Sequence, residues 1–162
     1  MPQDAPQPML DTPQMITTDP QPAAIIHVVV PREQIREVMG PGINELHATL
    51  AAQGVTPSGP WFTRHHRMQP DVFDFDIGLP VAALVQAQGR MQPGELPATR
   101  AAHATYRGPY EGLPAAWAEF DAWIAAQGLE TTGALWEVYA VGPEGGADPA
   151  SYRTELYRPL TG

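Results

Sequence analysis

The sequence contains neither cysteine nor lysine, and these absences exclude several chemistries. Without cysteine there is no disulfide framework, no thiolate nucleophile and no thiolate metal ligand. All nine basic residues are arginine, so Schiff-base chemistry and a phosphate-binding P-loop are excluded. Serine is almost absent as well, and neither Ser58 nor Ser151 lies in a nucleophile elbow. The residue types therefore give little support to nucleophilic catalysis.

Positive charge and long apolar runs are also scarce. The formal net charge is −9, whereas nucleic-acid binding needs a basic face that neutralises phosphates. An acidic protein instead attracts cationic small molecules. No apolar run is long enough to cross a membrane, and the N-terminus lacks a secretory signal pattern. We expect a cytoplasmic protein without a cofactor, with no direct nucleic-acid partner and no membrane partner.

What the sequence does contain is an internal repeat. Residues 51–54 (AAQG) recur as residues 125–128, and Gly59 recurs at the same interval as Gly133. In each copy an apolar helical pattern precedes the repeated segment, and two strand-like segments follow it, the second ending in proline. Each copy thus has the order β-α-β-β, which predicts an α+β fold with antiparallel sheets.

The boundaries of the copies follow from composition. Residues 1–22 are rich in proline and glutamine, which predicts a flexible tail. Residues 23–162 form one domain, with copies at roughly 23–81 and 98–160 and a crossover between them. We expect the two units to bury their sheets against each other about a pseudo-twofold axis, with a ligand cleft between the halves.

Helix signals are unequal in the two copies. In the first, the apolar spacing predicts a helix that follows Gly42 and stops at Gly54. In the second, an apolar stripe ends at Gly128. The stripe consists of Leu113, Ala116, Trp117, Phe120 and Ile124.

A carboxylate distinguishes the aromatic strand of the second copy, because Glu137 stands where the first copy has Thr63. Side chains alternate along a strand, so Glu137 and Tyr139 share one face and Trp136 and Val138 share the other. The more apolar pair is the natural choice to meet the helix. We therefore expect Glu137 and Tyr139 to face the cleft.

Further candidate ligand-binding residues come from the other strands and one turn. On the last strand Glu155 and Tyr157 share a face, and Asp76 corresponds to Glu155 in the first copy. Trp61 and Tyr110 are candidate cavity walls. Three carboxylates around one cavity would raise one another's proton affinity, and a ligand cation would relieve the repulsion, aided by aromatic faces.

No metal site is predicted. His65 and His66 are neighbours on a strand and so point to opposite faces. His27, His47 and His103 have the character of ordinary packed or surface residues.

Several segments together resemble the GyrI-like small-molecule-binding family, which is also the effector-binding domain of many bacterial transcription activators. The resemblance covers roughly residues 23–160. It is carried by Gly59-Pro60, by Phe73-Asp74-Phe75-Asp76-Ile77-Gly78-Leu79-Pro80-Val81, by Gly108-Pro109-Tyr110-Glu111-Gly112-Leu113, by Trp117 with Trp123-Ile124, by Trp136-Glu137-Val138-Tyr139 and by Thr154-Glu155-Leu156-Tyr157-Arg158-Pro159-Leu160.

The resemblance implies two β-α-β-β units around a ligand cavity, with Glu137 as the buried glutamate that meets cationic aromatic ligands. Tyr106 and Arg107 stand where relatives often carry a histidine. Residues 1–22 are too short and proline-rich for a helix-turn-helix, so direct promoter binding is not implied.

Three functions follow. The first is binding of hydrophobic, cationic or electrophilic small molecules, for effector sensing or for drug or toxin sequestration. The second is a hydrolase of reactive cyclopropane-type compounds, in which Glu137 is a general acid or base and Tyr139 assists it. The third is a gyrase-inhibitor-like protein-binding module. A deep cavity favours the first two, and a filled cleft with an exposed acidic face favours the third.

Overall fold

Eight strands form one antiparallel sheet in the computed structural model, which describes residues 10–68, 70–83, 85–141 and 148–161. The strands are β1 (Gln14–Thr17), β2 (Gln21–Pro31), β3 (Phe62–Met68), β4 (Val72–Pro80), β5 (Gln92–Leu96), β6 (Arg100–Arg107), β7 (Leu135–Val141) and β8 (Arg153–Pro159). The helices are α1 (Ile35–Ala52) and α2 (Leu113–Ala126). The strand order across the sheet is β1-β6-β8-β7-β3-β4-β2-β5.

The strand order confirms the tandem β-α-β-β units. From the centre outward, β7-β8-β6 on one side repeats β3-β4-β2 on the other. The register also repeats, since each half has a β-bulge at an equivalent place, at His66 in β3 and at Ala140 in β7. The halves meet edge to edge through β3 and β7, where Thr63 lies opposite Glu137. They therefore share one sheet, instead of packing two sheets against each other as the sequence predicts.

Both helices cover the same face of this sheet. The α1 helix packs through Leu46 and Leu50 on β2 and β4, and α2 packs through Phe120 and Ile124 on β6 and β8. The helix-covered face includes Ile77 and Leu156, which lie in these two cores. Directly opposed residues on neighbouring strands share a face, so Thr63, opposite Ile77, and Glu137, opposite Leu156, also lie on the helix face.

A smaller apolar cluster occupies the other face, and it contains Trp136 and Phe62 with Val138 and Tyr157. The rings of Trp136 and Tyr157 are stacked, with centroids 5.3 Å apart. The prediction that Trp136 and Val138 meet the helix is therefore wrong. Trp136 and Val138 pack with their neighbours on the face away from the two helices. On the other face, the central strands lie between α1 and α2.

Two segments differ from the sequence-based boundaries. The α1 helix begins at Ile35 and includes Pro41, because Ile35, Val38 and Met39 pack against the first core. This packing compensates for the backbone hydrogen bond that proline cannot donate. The β5 strand lies within the predicted crossover and pairs with β2.

The structure also differs from the expected flexible tail over part of residues 1–22. Strand β1 pairs with β6, and Leu10 is buried in the second core. Residues 1–9 lie outside the described part of the chain. Within the described residues, neither helix combines the length and the apolar character needed to cross a membrane.

Candidate ligand-binding site

A cavity of about 760 Å³ lies on the helix face of the sheet, above the central strands β3 and β7. The two helices form its sides, because each packs on the outer strands of its own half and leaves the central strands uncovered. Its walls include Ile35, Met39 and Ile43 of α1 and Leu113, Trp117 and Asp121 of α2, and its floor includes Trp61, Thr63, His65, Leu135, Glu137 and Tyr139. The lining is mostly apolar and aromatic, with a few polar groups, as in ordinary small-ligand sites.

The turn before α2 fixes Tyr110 at the cavity. The hydroxyl of Tyr106 donates to the carbonyl of Pro109 at 2.8 Å. A Cβ atom on residue 112 would collide with that hydroxyl, so the turn requires Gly112. The ring of Tyr110 then stands edge-on to the ring of Tyr139, with centroids 5.7 Å apart. The Gly-Pro-Tyr-Glu-Gly motif therefore builds one end of the cavity wall.

A chain of hydrogen bonds converges on Glu137. The indole Nε1 of Trp117 donates to one carboxylate oxygen at 2.5 Å, and the hydroxyl of Tyr139 donates to the other at 2.6 Å. The Thr63 hydroxyl lies 2.7 Å from the Tyr139 hydroxyl. A phenol has one O–H proton, and Tyr139 uses it in the hydrogen bond to Glu137. The Thr63 hydroxyl must therefore be the donor in its hydrogen bond with Tyr139. Both halves and α2 thus orient this one carboxylate.

Burial changes the proton affinities of this pair. Loss of water contact raises the pKa of Glu137, and the hydrogen bonds from Tyr139 and Trp117 oppose that rise. Burial and the nearby Glu137 charge raise the pKa of Tyr139 well above its usual range, so the phenol remains a hydrogen-bond donor. A buried carboxyl with a raised pKa can bind a cation when ionised, or transfer a proton.

Three of the other charged groups around the cavity have partners. Arg158 forms an ion pair with Asp121 at 3.1 Å, and the guanidinium of Arg32 lies 4.3 Å from the centre of the Phe73 ring. Among the ion pairs of the described residues, none includes Glu137. The Glu137 carboxylate is thus held by hydrogen-bond donors rather than by an ion pair.

His65 also contributes to the floor. Its ring is stacked on Phe75 and is edge-on to Phe73, with centroid distances of 5.0 and 5.3 Å. Burial, assisted by the charge of Arg32, lowers the pKa of His65 to about 4. The imidazole is therefore neutral at physiological pH and serves as part of the aromatic wall.

The structure brings four of the seven predicted site residues together at the cavity, namely Trp61, Tyr110, Glu137 and Tyr139. The other three, Asp76, Glu155 and Tyr157, lie on the opposite face of the sheet. Asp76 lies directly opposite Arg64, and Arg64 lies opposite Trp136, so Asp76 shares the face of Trp136. Glu155 lies opposite Val138, which is on that same face. The expected cluster of three carboxylates around one cavity is therefore wrong.

Sequence reasoning missed several cavity residues. Thr63 was considered only as the counterpart of Glu137, and Trp117 only as part of the helix core. The signal for Trp117 was its indole N–H, which needs an acceptor when it is buried in a helix stripe. Arg32, His65 and Arg158 gave no periodic signal, because each is one polar residue in a strand or at a strand end.

The comparisons with known proteins identify the family of this chain. The sequence model of the GyrI-like small molecule binding domain matches residues 11–161. The chain therefore belongs to this family. No curated protein matches the chain in sequence.

Several solved structures share the fold. The EcmrR C-terminal domain superposes with a TM-score of 0.81 at 20% identity, covering 93% of this chain and 97% of that domain. In the EcmrR–DNA complex the match covers only 57% of the EcmrR chain. A hydrolase from Listeria innocua matches with a TM-score of 0.67 at 15% identity, covering 97% of this chain and 94% of its own. SAV2435, in a structure bound to tetraphenylphosphonium, matches with a TM-score of 0.66 at 12% identity, covering 94% and 95%.

Proposed function

We propose that the protein binds hydrophobic organic cations in this cavity, with Glu137 as the charge partner. The observation that carries the proposal is the position of Glu137. It lies on the floor of a largely aromatic cavity, oriented by Trp117 and Tyr139 and without an arginine partner. Of the three acidic residues that line the cavity, Asp121 is paired and Glu111 is exposed on the turn before α2.

Two physical terms favour a cation over a neutral ligand. An ionised carboxylate has about four acceptor sites, and the structure uses two of them, so Glu137 can still attract a positive group. The rings of Trp61 and Tyr139 are tilted by 30° with centroids 4.2 Å apart, and they add the negative faces that stabilise cations. Tetraphenylphosphonium, seen with SAV2435, has the charge and aromatic bulk that such a cavity suits.

The cellular role that fits such binding is effector sensing or sequestration of a drug or toxin in the cytoplasm. The EcmrR match supports the sensing role, because there the same fold is one domain of a DNA-bound chain. In this role the immediate partner is the small molecule.

Titration calorimetry with methyltriphenylphosphonium tests the proposal. Triphenylphosphine oxide is the matched neutral ligand, because it replaces a methyl group with an oxygen atom of similar size. We expect saturable binding of one cation per chain and weaker binding of the oxide. Equal affinity for both ligands, or no saturable binding of a panel of aromatic cations, would contradict the proposal.

A hydrolase is the second candidate, and the raised pKa of Glu137 is the observation that favours it. A carboxyl with raised proton affinity beside a tyrosine hydroxyl can protonate a leaving group or activate water. The Listeria innocua hydrolase has the same fold. The substrate class would be small electrophiles such as cyclopropane-bearing aromatic compounds.

Product analysis separates the two candidates. If the hydrolase proposal holds, turnover of a cyclopropane-bearing aromatic compound disappears in Glu137→Gln while binding persists, and Tyr139→Phe lowers the rate less. We expect binding without turnover, because the cavity places only one group with raised proton affinity in the acidic range. Catalytic product formation by the wild type, lost in Glu137→Gln, would favour the hydrolase instead.

The protein-binding alternative receives no such support. A gyrase-inhibitor-like module is expected to have a filled cleft. In the described residues the cleft is instead an unfilled cavity.

A further inference from the structure

We propose that His27, His66 and Asp76 form a binding site for one divalent transition-metal ion on the sheet face opposite the cavity. The three residues come from the adjacent strands β2, β3 and β4. Nδ1 of His27 lies 2.8 Å from one oxygen of Asp76, and Nε2 of His66 lies 2.8 Å from the other. One ligand atom from each residue lies within 4.8 Å of the other two.

Both ring nitrogens of His27 face a carboxylate, which is the arrangement of a metal-binding histidine. Nδ1 faces Asp76, and Nε2 lies 3.0 Å from a carboxylate oxygen of Asp74. A neutral imidazole has one N–H, so it donates to one carboxylate and turns a lone pair toward the other. That second contact is repulsive unless a proton or a metal ion lies between the two groups. His66 presents a ring nitrogen to the same Asp76 carboxylate, so three donor groups converge on one point.

The contact with Asp74 supplies the support that metal-binding histidines usually have. In protein metal sites the non-coordinating imidazole nitrogen donates its proton to a carboxylate, which fixes the tautomer. If Nε2 of His27 carries the proton and donates a hydrogen bond to Asp74, the lone pair of Nδ1 is free to coordinate the metal ion. Asp76 is itself held in place, with a side chain only 7% exposed, whereas His27 and His66 are 44% and 42% exposed. The metal therefore has a rigid carboxylate and two adjustable imidazoles on the solvent side.

The donor set indicates the class of metal. Two imidazoles and one carboxylate suit zinc, cobalt or nickel better than calcium or magnesium, which prefer oxygen ligands. With bond lengths of about 2.0–2.1 Å, ligand atoms of a tetrahedral ion are about 3.3 Å apart. The observed 2.8 Å contacts reach that separation by small rotations of the exposed rings. Water would complete the coordination.

The second half of the protein provides an internal comparison. Glu155 takes the place of Asp76, but Ala140 occupies the bulge position of His66. Glu155 instead accepts a hydrogen bond from Thr105 at 2.7 Å and lies 2.6 Å from His103 and 3.0 Å from Arg153. The first half alone therefore has two imidazoles on one carboxylate.

Metal titration of the full chain without a histidine tag tests the site. After treatment with chelator, Co²⁺ is added and its visible absorption followed, and Zn²⁺ binding is measured by calorimetry. We expect one equivalent of each ion, with loss of binding in His66→Ala and in Asp76→Asn. Asp74→Asn should weaken binding about tenfold, as loss of a supporting carboxylate does.

Two controls keep the result interpretable. His103→Ala removes a histidine beside a carboxylate on the same face and should leave metal binding unchanged. His66→Ala reproduces the alanine of the second half, so it should fold, which circular dichroism and unaltered methyltriphenylphosphonium binding would verify. Absence of stoichiometric metal binding by the wild type would overturn the proposal. Binding that survives His66→Ala would also overturn the proposal.

Discussion

Replacement of Glu137 by glutamine is the sharpest perturbation of the proposed site, because the surrounding network can absorb it. The glutamine oxygen can accept from Trp117, and its amide can donate to the oxygen of Tyr139. The Tyr139 hydroxyl then donates to Thr63, whose hydroxyl can accept as well as donate. The variant therefore removes the charge while the shape and the hydrogen bonds remain.

The size of the effect follows from the charge. A unit cation about 5 Å from an ionised carboxylate is attracted by about 3.3 kcal/mol at an effective dielectric constant of about 20. Partial loss of water from both groups offsets part of this attraction, which leaves roughly 1.4–2.8 kcal/mol, or about 10- to 100-fold in affinity. A neutral ligand of the same shape has no such term and should change by less than about threefold.

Calorimetric titrations with methyltriphenylphosphonium and triphenylphosphine oxide measure this difference directly. Glu111→Gln is the matched control, because it removes an identical charge from an exposed position at the cavity. Salt screens an exposed charge more than a buried one, so this control should alter cation affinity less than about twofold. Equal losses for both ligands in Glu137→Gln, or an equal loss in the Glu111 control, would refute the electrostatic argument.

Further predictions concern pH and stability. Cation affinity should fall when acid protonates Glu137. Because burial raises the pKa of Glu137, this fall should begin at a higher pH than for an ordinary glutamate. Calorimetry at several pH values measures the affinity, and Glu137→Gln should show no such fall. Tyr139→Phe removes a hydrogen bond that lowers the Glu137 pKa, so the same titration should move to higher pH. The folded-state pKa of His65, about 4, lies below the ordinary histidine pKa of 6.5, so the unfolded chain takes up a proton first as the pH falls. The contribution of His65 to the free energy of unfolding is complete above pH 6.5 and decreases by up to about 3 kcal/mol toward pH 4. Urea unfolding should therefore show a smaller loss of stability over this pH range in His65→Phe than in the wild type. Phe120→Ala, in the second core, should lower the unfolding free energy by about 3–5 kcal/mol, and a change below about 1 kcal/mol would contradict the packing described.

Much of the fold could be predicted because duplication doubles each local signal. The glycine that ends each helix recurs as Gly54 and Gly128, and both have positive φ angles, of 71° and 73°. The paired strand segments recur in the same order, which establishes the β-α-β-β unit. The edge strands β1 and β5 gave weak signals, because both are short and have proline within or beside them. Their stability comes from pairing with the long strands next to them.

The site could be predicted only in part, because strand alternation defines two faces without saying which face the helices cover. Glu137 and Tyr139 were assigned to the cavity, but through the incorrect premise that Trp136 meets a helix. Glu155 was grouped with Glu137 although alternation along the last strand does not say which of its two faces lines the cavity. Register resolves the matter, since Glu137 lies opposite Leu156 and the face of Glu155 is the other one. Register depends on contacts between distant strands, which a local pattern does not contain.

The difference between Thr63 and Glu137 explains why a duplicated protein has one charge on its central axis. These two residues are directly opposed where the halves meet. Glutamates at both positions would be like charges directly across neighbouring strands, which destabilises a sheet, and burial would increase the repulsion. Threonine avoids that repulsion, and its hydroxyl orients Tyr139 so that the tyrosine proton is directed at Glu137. The first half thus supplies the hydroxyl that donates to Tyr139, and Tyr139 in turn donates to the Glu137 carboxylate of the second half. The proposed binding of a ligand with a single positive charge surrounded by apolar groups depends on this arrangement.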